Sequence, residues 1–462
     1  MLRLIMALIG AVATTDARPS RVRVGAPRAP VGQWKGHISG PPNSKLPDAP
    51  TLGNGYMGVM LGDSHLPGSP SVDLWVNTNS MWSCDNNTAS SSSPGHANSN
   101  WGPGRLTPAV CSLVGLGGVS FAVQKANFQQ HNFVAEQRTE NGQLYTKQTT
   151  VGAPSSMVET LTYIHPSENS IVTNITSTVP GGAILDVVLW VYTNGRTTAT
   201  GSGGGALWAS REASKPCETQ LCDNSIKRIH TALAVKISGG AATFFNTTSL
   251  LPGYASVGAR VALPTNGKTL SIVTALADNL LKTNNYDPTP DAKALATDSS
   301  ASAVEAAAAS YWAAFWSKSS ISLPSSPAVE AYWRGAQYAT ACMTPTTEVL
   351  AKYGGKSPPS GLYGPWVSSD GPAWNGDCKQ LFPFWLRDCV SARNRCVLRW
   401  SHTGLTLLRA AVTLDYNQEA QSWLLLQYDI HYLILLTHDI PLKHSESGFV
   451  LELWTVSIAD QS

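Results

Sequence analysis

Over residues 31–275 apolar and polar positions alternate in short runs bounded by Gly, Asn, Pro and Ser. The runs are GYMGVMLG (55–62), SVDLWVN (71–77), GGVSFAV (117–123), QLYTKQTTV (143–151), SMVETLTYI (156–164), SIVTNITST (170–178), AILDVVLWVY (183–192), TALAVKI (231–237), AATFF (241–245) and LSIVTAL (270–276). A period of two with β-branched and aromatic residues is the signature of a strand with one face buried. Many such runs with no helical block between them predict a large antiparallel β-sandwich and argue against a parallel α/β sheet. The Ser/Gly-rich stretch 89–104 and GSGGG at 201–205 are expected to be surface loops.

Near Asp291 the period changes. The stretch ATDSSASAVEAAAASYWAAFWSKS is rich in helix formers and sets Tyr311, Trp312, Phe315 and Trp316 on one helical face. The segment starting at Pro327 repeats the pattern with Tyr332, Trp333, Gln337 and Tyr338. A helical linker over 290–325 is therefore expected, followed by the first helix of an α-domain, with the aromatic residues packing in a core.

Composition narrows the function. Only 13% of the 462 residues are charged and the formal net charge is +2, which gives no electrostatic basis for binding nucleic acid or an anionic membrane. Basic Arg3, the apolar run Leu4–Val12 and the small residues Ala11, Ala13 and Ala17 predict a secretory signal over 1–17, too short to span a bilayer. Secretion would suit the sequons at Asn86, Asn174 and Asn246. In an oxidising compartment Cys217 could pair with Cys222, and Cys84 with Cys111; the eight cysteines contain no C-x-x-C pair, so a zinc site is not expected.

Candidate chemistry lies in GPWVSSDGPAWNGD (364–377) and TLDYNQEAQ (413–421). Trp366 and Trp374 can offer flat apolar faces to the C–H side of a sugar ring, and Asp370, Asn375 and Asp377 can bond its hydroxyls. Upstream, APTLGNGYMGVMLGD (49–63) leads into VDLWVNTNSMWS (72–83), where Gly-Asn-Gly marks a tight turn that needs positive φ. In order and content these stretches resemble glycoside hydrolase family 95. The resemblance implies a β-rich N-terminal super-sandwich followed by a helical linker and a partial (α/α)6 barrel, a multidomain α+β chain. It matches Pro372 and Trp374 to a P…W pair, and Asp415 and Asn417 to an N-x-N pair that helps to hold the attacking water. Asp415 and Glu419 stand where the family has amides, which unsettles the family's preference for α-L-fucosides. The NGY-x-G turn is also similar to one in family 65, which contains phosphorylases. An inverting glycosidase needs an acid for the leaving oxygen and a second group to activate water, roughly 6.5–9.5 Å apart.

The intervening stretch 378–412 has six Lys/Arg against one Asp, and three of the cysteines, matching neither flank. It is expected to be either a basic helical insertion or a translated intron. The tail 422–462 loses the family pattern, and its His431, His438 and His444 are expected to be incidental. The expected organisation is a sandwich over 31–275, a linker over 290–325, an incomplete catalytic domain over 326–421 and an atypical tail. The expected function is hydrolysis of a terminal glycosidic bond, α-L-fucosidase-like, with Asp415 and Asn417 catalytic. Weak or absent turnover is expected, since the family's acid lies further downstream. Neither cofactor nor metal is expected, and the partner is a carbohydrate. The alternatives are a non-catalytic carbohydrate-binding sandwich and a family 65-like phosphorylase.

Overall fold

The structure is a computed structural model that describes residues 33–35, 49–63, 71–85, 110–124, 131–150, 153–193, 198–213, 228–247, 253–265, 267–318, 321–355, 358, 363–370, 412–413, 443–445 and 448–451. The chain divides into two compact units, Met1–Cys396 and Val397–Ser462.

The first unit opens with β1 (Gln33–Lys35), β2 (Thr51–Gly53), β3 (Met57–Asp63), β4 (Ser71–Thr78), β5 (Trp82–Asp85), β6 (Val110–Leu113) and β7 (Gly117–Gln124). It continues through β8 (His131–Arg138), β9 (Gln143–Thr150), β10 (Ala153–Ile164), β11 (Ser170–Ser177), β12 (Ile184–Tyr192) and β13 (Thr198–Gly203). The last strands of this unit are β14 (Ala206–Glu212), β15 (His230–Ser238), β16 (Ala242–Asn246), β17 (Tyr254–Ala262) and β18 (Thr269–Asp278). Antiparallel pairing arranges them in a nine-stranded sheet, β1-β8-β9-β10-β11-β18-β15-β14-β13, and a seven-stranded sheet, β16-β17-β12-β7-β4-β3-β2. β5 and β6 form a separate two-stranded ladder.

Alternation explains the core. Val72, Leu74 and Val76 of β4, Val119 and Phe121 of β7, and Leu185, Val187 and Leu189 of β12 join one buried cluster with Leu144, Ile171, Ile175, Leu233, Leu270 and Ile272 of the nine-stranded sheet. Successive residues face opposite sides of a strand, so Trp75, Ala122, Val188 and Trp190 occupy the other face of the seven-stranded sheet. These four are buried too, in a second cluster with Trp312, Tyr338, Cys342 and Trp366. Every residue of β4 is buried. The seven-stranded sheet is thus covered on both faces, unlike a simple sandwich sheet.

GSGGG departs from the loop expectation. Gly201, Ser202 and Gly203 pair with Trp208, Leu207 and Ala206, and only Gly204 and Gly205, at φ +63° and +78°, make the turn. Two consecutive residues at positive φ give the twist that a tight hairpin needs, and glycine adopts it without steric cost.

Two helices occupy the linker stretch: α1 (Thr289–Asp298) and α2 (Ala301–Lys318). The break falls at Ser299–Ser300, and the Ser300 hydroxyl accepts from Ala303 N–H at 3.1 Å, capping α2. α1 lays Ala292 and Ala296 on Ala232, Ala234 and Ala275. α2 lays Val304 and Ala308 on Tyr163, Val172 and Val273. The linker is thus an outer layer on the nine-stranded sheet. α3 (Pro327–Met343) and α4 (Thr347–Lys352) follow; of the expected barrel, these are the helices among the described residues. In the second unit, β19 (Val412–Thr413), β20 (Lys443–Ser445) and β21 (Gly448–Leu451) form an antiparallel sheet ordered β19-β21-β20.

Candidate functional site

The Gly-Asn-Gly turn is a docking point. Asn54 Oδ1 accepts from Tyr56 N–H at 3.0 Å and Met57 N–H at 2.8 Å, while its Nδ2 donates to the carbonyls of Glu168 at 2.9 Å and His165 at 3.2 Å. Gly55, at φ +82°, donates its N–H to the Cys342 carbonyl at 2.8 Å. A Cβ on Gly53 would stand 2.5 Å from that carbonyl. The two glycines let the C-terminal end of α3 reach the backbone of β2, and the asparagine binds the turn to the loop after β10.

That docking brings the first part of the predicted sugar segment onto the sandwich. Pro365 and Trp366 lie over Gly58 of β3, where a Cβ would meet them at 2.6 and 2.8 Å. Trp366 is 6% exposed, and its indole N–H donates to the Leu52 carbonyl at 2.8 Å. Ser368 O accepts from the Tyr192 hydroxyl, and Ser369 O accepts from Gly115 N–H at 3.0 Å. Arg211 of β14 then holds Asp370, Nη1 on Oδ1 at 2.9 Å and Nη2 on Oδ2 at 2.6 Å, and Nη1 also donates to Gly115 O. The Arg211 side chain is 1% exposed and that of Asp370 is 26% exposed.

The surroundings are aromatic. Arg211 sits over the Tyr192 ring, 5.4 Å from its centroid, and Tyr192 packs with Trp75, Trp190 and Tyr254 at centroid separations of 5.0–6.2 Å. Burial pushes the Tyr192 hydroxyl well above its ordinary range, with Tyr254 and Asp370 pushing the same way, so it stays a neutral donor to Ser368. Tyr254 is raised as well, chiefly by burial. An aromatic wall beside a doubly bonded guanidinium–carboxylate pair makes a rigid mount.

The structure therefore brings Trp366 and Asp370 together on this mount. Trp374, Asn375, Asp377, Asp415 and Asn417 lie outside the described residues, as do most of the stretches 378–412 and 422–462. Sequence reasoning missed Arg211, Tyr192 and Gly115. The available signal was Arg211 itself, a charge within the otherwise apolar and small run ALWASR. Among the described residues, no group of three His, Cys, Asp or Glu is gathered that could hold a metal ion, and no helix is long and apolar enough to cross a membrane.

No family model matches the sequence, and no curated protein matches it. Solved structures do show likenesses. The chain is similar to a structure named "Putative kojibiose phosphorylase from human microbiome", with TM-score 0.43 and 11% identity over 62% of this chain and 38% of that one. It is similar to a family GH92 alpha-mannosidase from Bacteroides thetaiotaomicron, with TM-score 0.34 and 9% identity over 64% of this chain and 39% of that one. A further GH92 family glycosyl hydrolase gives TM-score 0.32 and 11% identity over 65% and 39%. The chain spans about two fifths of the length of these structures, and likenesses of this depth fix neither activity nor substrate.

Proposed function

We propose that this protein acts on carbohydrate, hydrolysing a terminal glycosidic bond in the manner of an α-L-fucosidase of family 95. One observation carries the reading: the sandwich clamps residues 363–370 through Trp366, Ser368, Ser369 and Asp370, so that the chain leaves a rigid anchor directly into Gly371–Asp377. A sugar site needs its flat and polar groups held in place, and an anchor one residue upstream supplies that. In this reading Trp374 offers the ring face and Asn375 and Asp377 bond hydroxyls; the resemblance alone gives Asp415 the role of base or hydroxyl ligand and Asn417 that of holding the water. Trp366 and Asp370 serve the site by mounting it.

The test is release of the aryl group from aryl α-L-fucosides by the purified chain, run beside a titration of sugar binding by tryptophan fluorescence. Saturable binding with slow release, both abolished by Trp374→Ala, is the expected result. Binding without release identifies the non-catalytic alternative, and release that requires inorganic phosphate identifies a phosphorylase. Absence of both binding and release overturns the reading.

A further inference from the structure

We infer that Cys84 and Cys111 form a disulfide that locks the β5/β6 ladder. The two residues are direct partners in its antiparallel register, which runs Trp82↔Leu113, Ser83↔Ser112, Cys84↔Cys111, Asp85↔Val110. Directly opposed residues of antiparallel strands have Cα atoms about 4.5–5.5 Å apart, within the span of about 4.4–6.8 Å that a disulfide bridges. Two register positions further in, Trp82 and Leu113 are buried, 3% and 0% exposed.

The ladder needs such a lock. Among the described residues it is two-stranded and joins neither large sheet, and an isolated two-stranded ribbon is marginal in water. Its strands are also separated by residues 86–109, a long closure that costs entropy until something holds the ends. The inner end is held, since Val114 N–H donates to Met81 O at 3.0 Å and the next residue, Gly115, binds Ser369 and Arg211. The outer end carries the cysteines. A cross-link there would hold both ends and would steady the Gly115 side of the Asp370 mount.

The chemistry balances with a low-molecular-weight disulfide, such as glutathione disulfide, as oxidant. One cysteine thiolate attacks it and expels a glutathione thiolate, leaving a mixed disulfide. The second cysteine thiolate then attacks the protein-side sulfur and expels the second glutathione thiolate. One S–S bond breaks, one forms, and the two cysteine protons pass to the two glutathiones.

The experiment uses the full chain equilibrated with equal reduced and oxidised glutathione, quenched in acid, alkylated and digested without reduction for mass spectrometry. The expected product is a linked pair of peptides carrying residues 84 and 111, at least ~10-fold more abundant from native buffer than from guanidinium, because folding raises the local thiol concentration. Alkylation of both thiols in the native chain, or pairing of either one with Cys217 or Cys222, overturns the inference. A Cys84→Ser chain should leave Cys111 alkylatable and raise hydrogen exchange at Trp82–Leu113. The wild-type map decides the matter if that variant fails to fold.

Discussion

Arg211 and Asp370, 159 positions apart in sequence, meet through two parallel hydrogen bonds of 2.9 and 2.6 Å. The pair is asymmetric: the guanidinium is almost fully enclosed, while the carboxylate still reaches water. Removing the carboxylate strands a buried charge, whereas removing the guanidinium frees an acid that solvent can take up. Asp370→Asn is therefore expected to lower stability by about 3–5 kcal/mol, and Arg211→Met by less, since breaking a buried pair costs most when the remaining charge cannot be rehydrated. Urea unfolding of both variants checks the order; a larger loss for Arg211→Met contradicts it.

The Asn54 amide makes four hydrogen bonds to backbone groups on both sides of its turn. Asn54→Ala leaves those groups to find new partners and is expected to cost about 3 kcal/mol, the scale of an unsatisfied buried polar group. Gly55→Ala meets a different obstacle, because φ is +82° and its Cβ would run into the backbone of Thr344 and Pro345. Backbone cannot swing aside, so the end of α3 must lift. Both variants should lower the melting temperature, and Gly55→Ala should also raise hydrogen exchange over Cys342–Thr346.

How far the sequence shows this arrangement depends on distance along the chain. Val72, Leu74 and Val76 announce an inward face by simple alternation, and the aromatic face of α2 is legible at helical spacing: Trp312 stacks on Tyr338, and the Trp316 N–H binds Thr139 O at 2.9 Å. HNFVAEQR, TATGSG, ALWASRE and YASVGARVA are weak in the pattern because small, polar or charged residues fill positions that pairing and packing then bury or half-bury, as at Gln137, Ser210 and Arg211. Sheet order was hidden as well: β11 lies beside β18 through pairs such as Ile171↔Thr274, a choice that no local period records. The mount was hidden for the same reason, since Arg211 gains meaning only when Asp370 arrives from far downstream.

Asn174 carries a sequon but lies inside β11, hydrogen-bonded in register to β10 and β18. Its Oδ1 accepts from Ser271 Oγ at 2.8 Å, and its Nδ2 reaches Glu305 of α2 at 3.5 Å. A glycan needs that nitrogen on an open, extended segment. When the protein is expressed through a eukaryotic secretory route, peptide mapping should find Asn174 unmodified. An occupied Asn174 would show that modification precedes closure of the sheet.

His165 gives the fold an acid sensitivity with a defined sign. Its Nδ1 accepts from Ser167 N–H at 3.2 Å and Glu168 N–H at 3.0 Å, so the turn uses the neutral ring. Burial lowers its pKa from the ordinary 6.5; Glu168 opposes the shift and Lys352 adds to it. Because the folded state binds the proton less readily than the unfolded chain, this contribution is fully present above pH 6.5 and is lost as pH falls from there through the folded value. His165→Asn keeps an acceptor that can close the same turn but does not titrate. The variant should therefore lose less melting temperature than wild type between pH 7.5 and 5.0. Equal losses would place the acid sensitivity elsewhere in the fold, whereas a smaller loss ties it to the loop that Asn54 grips through His165 O.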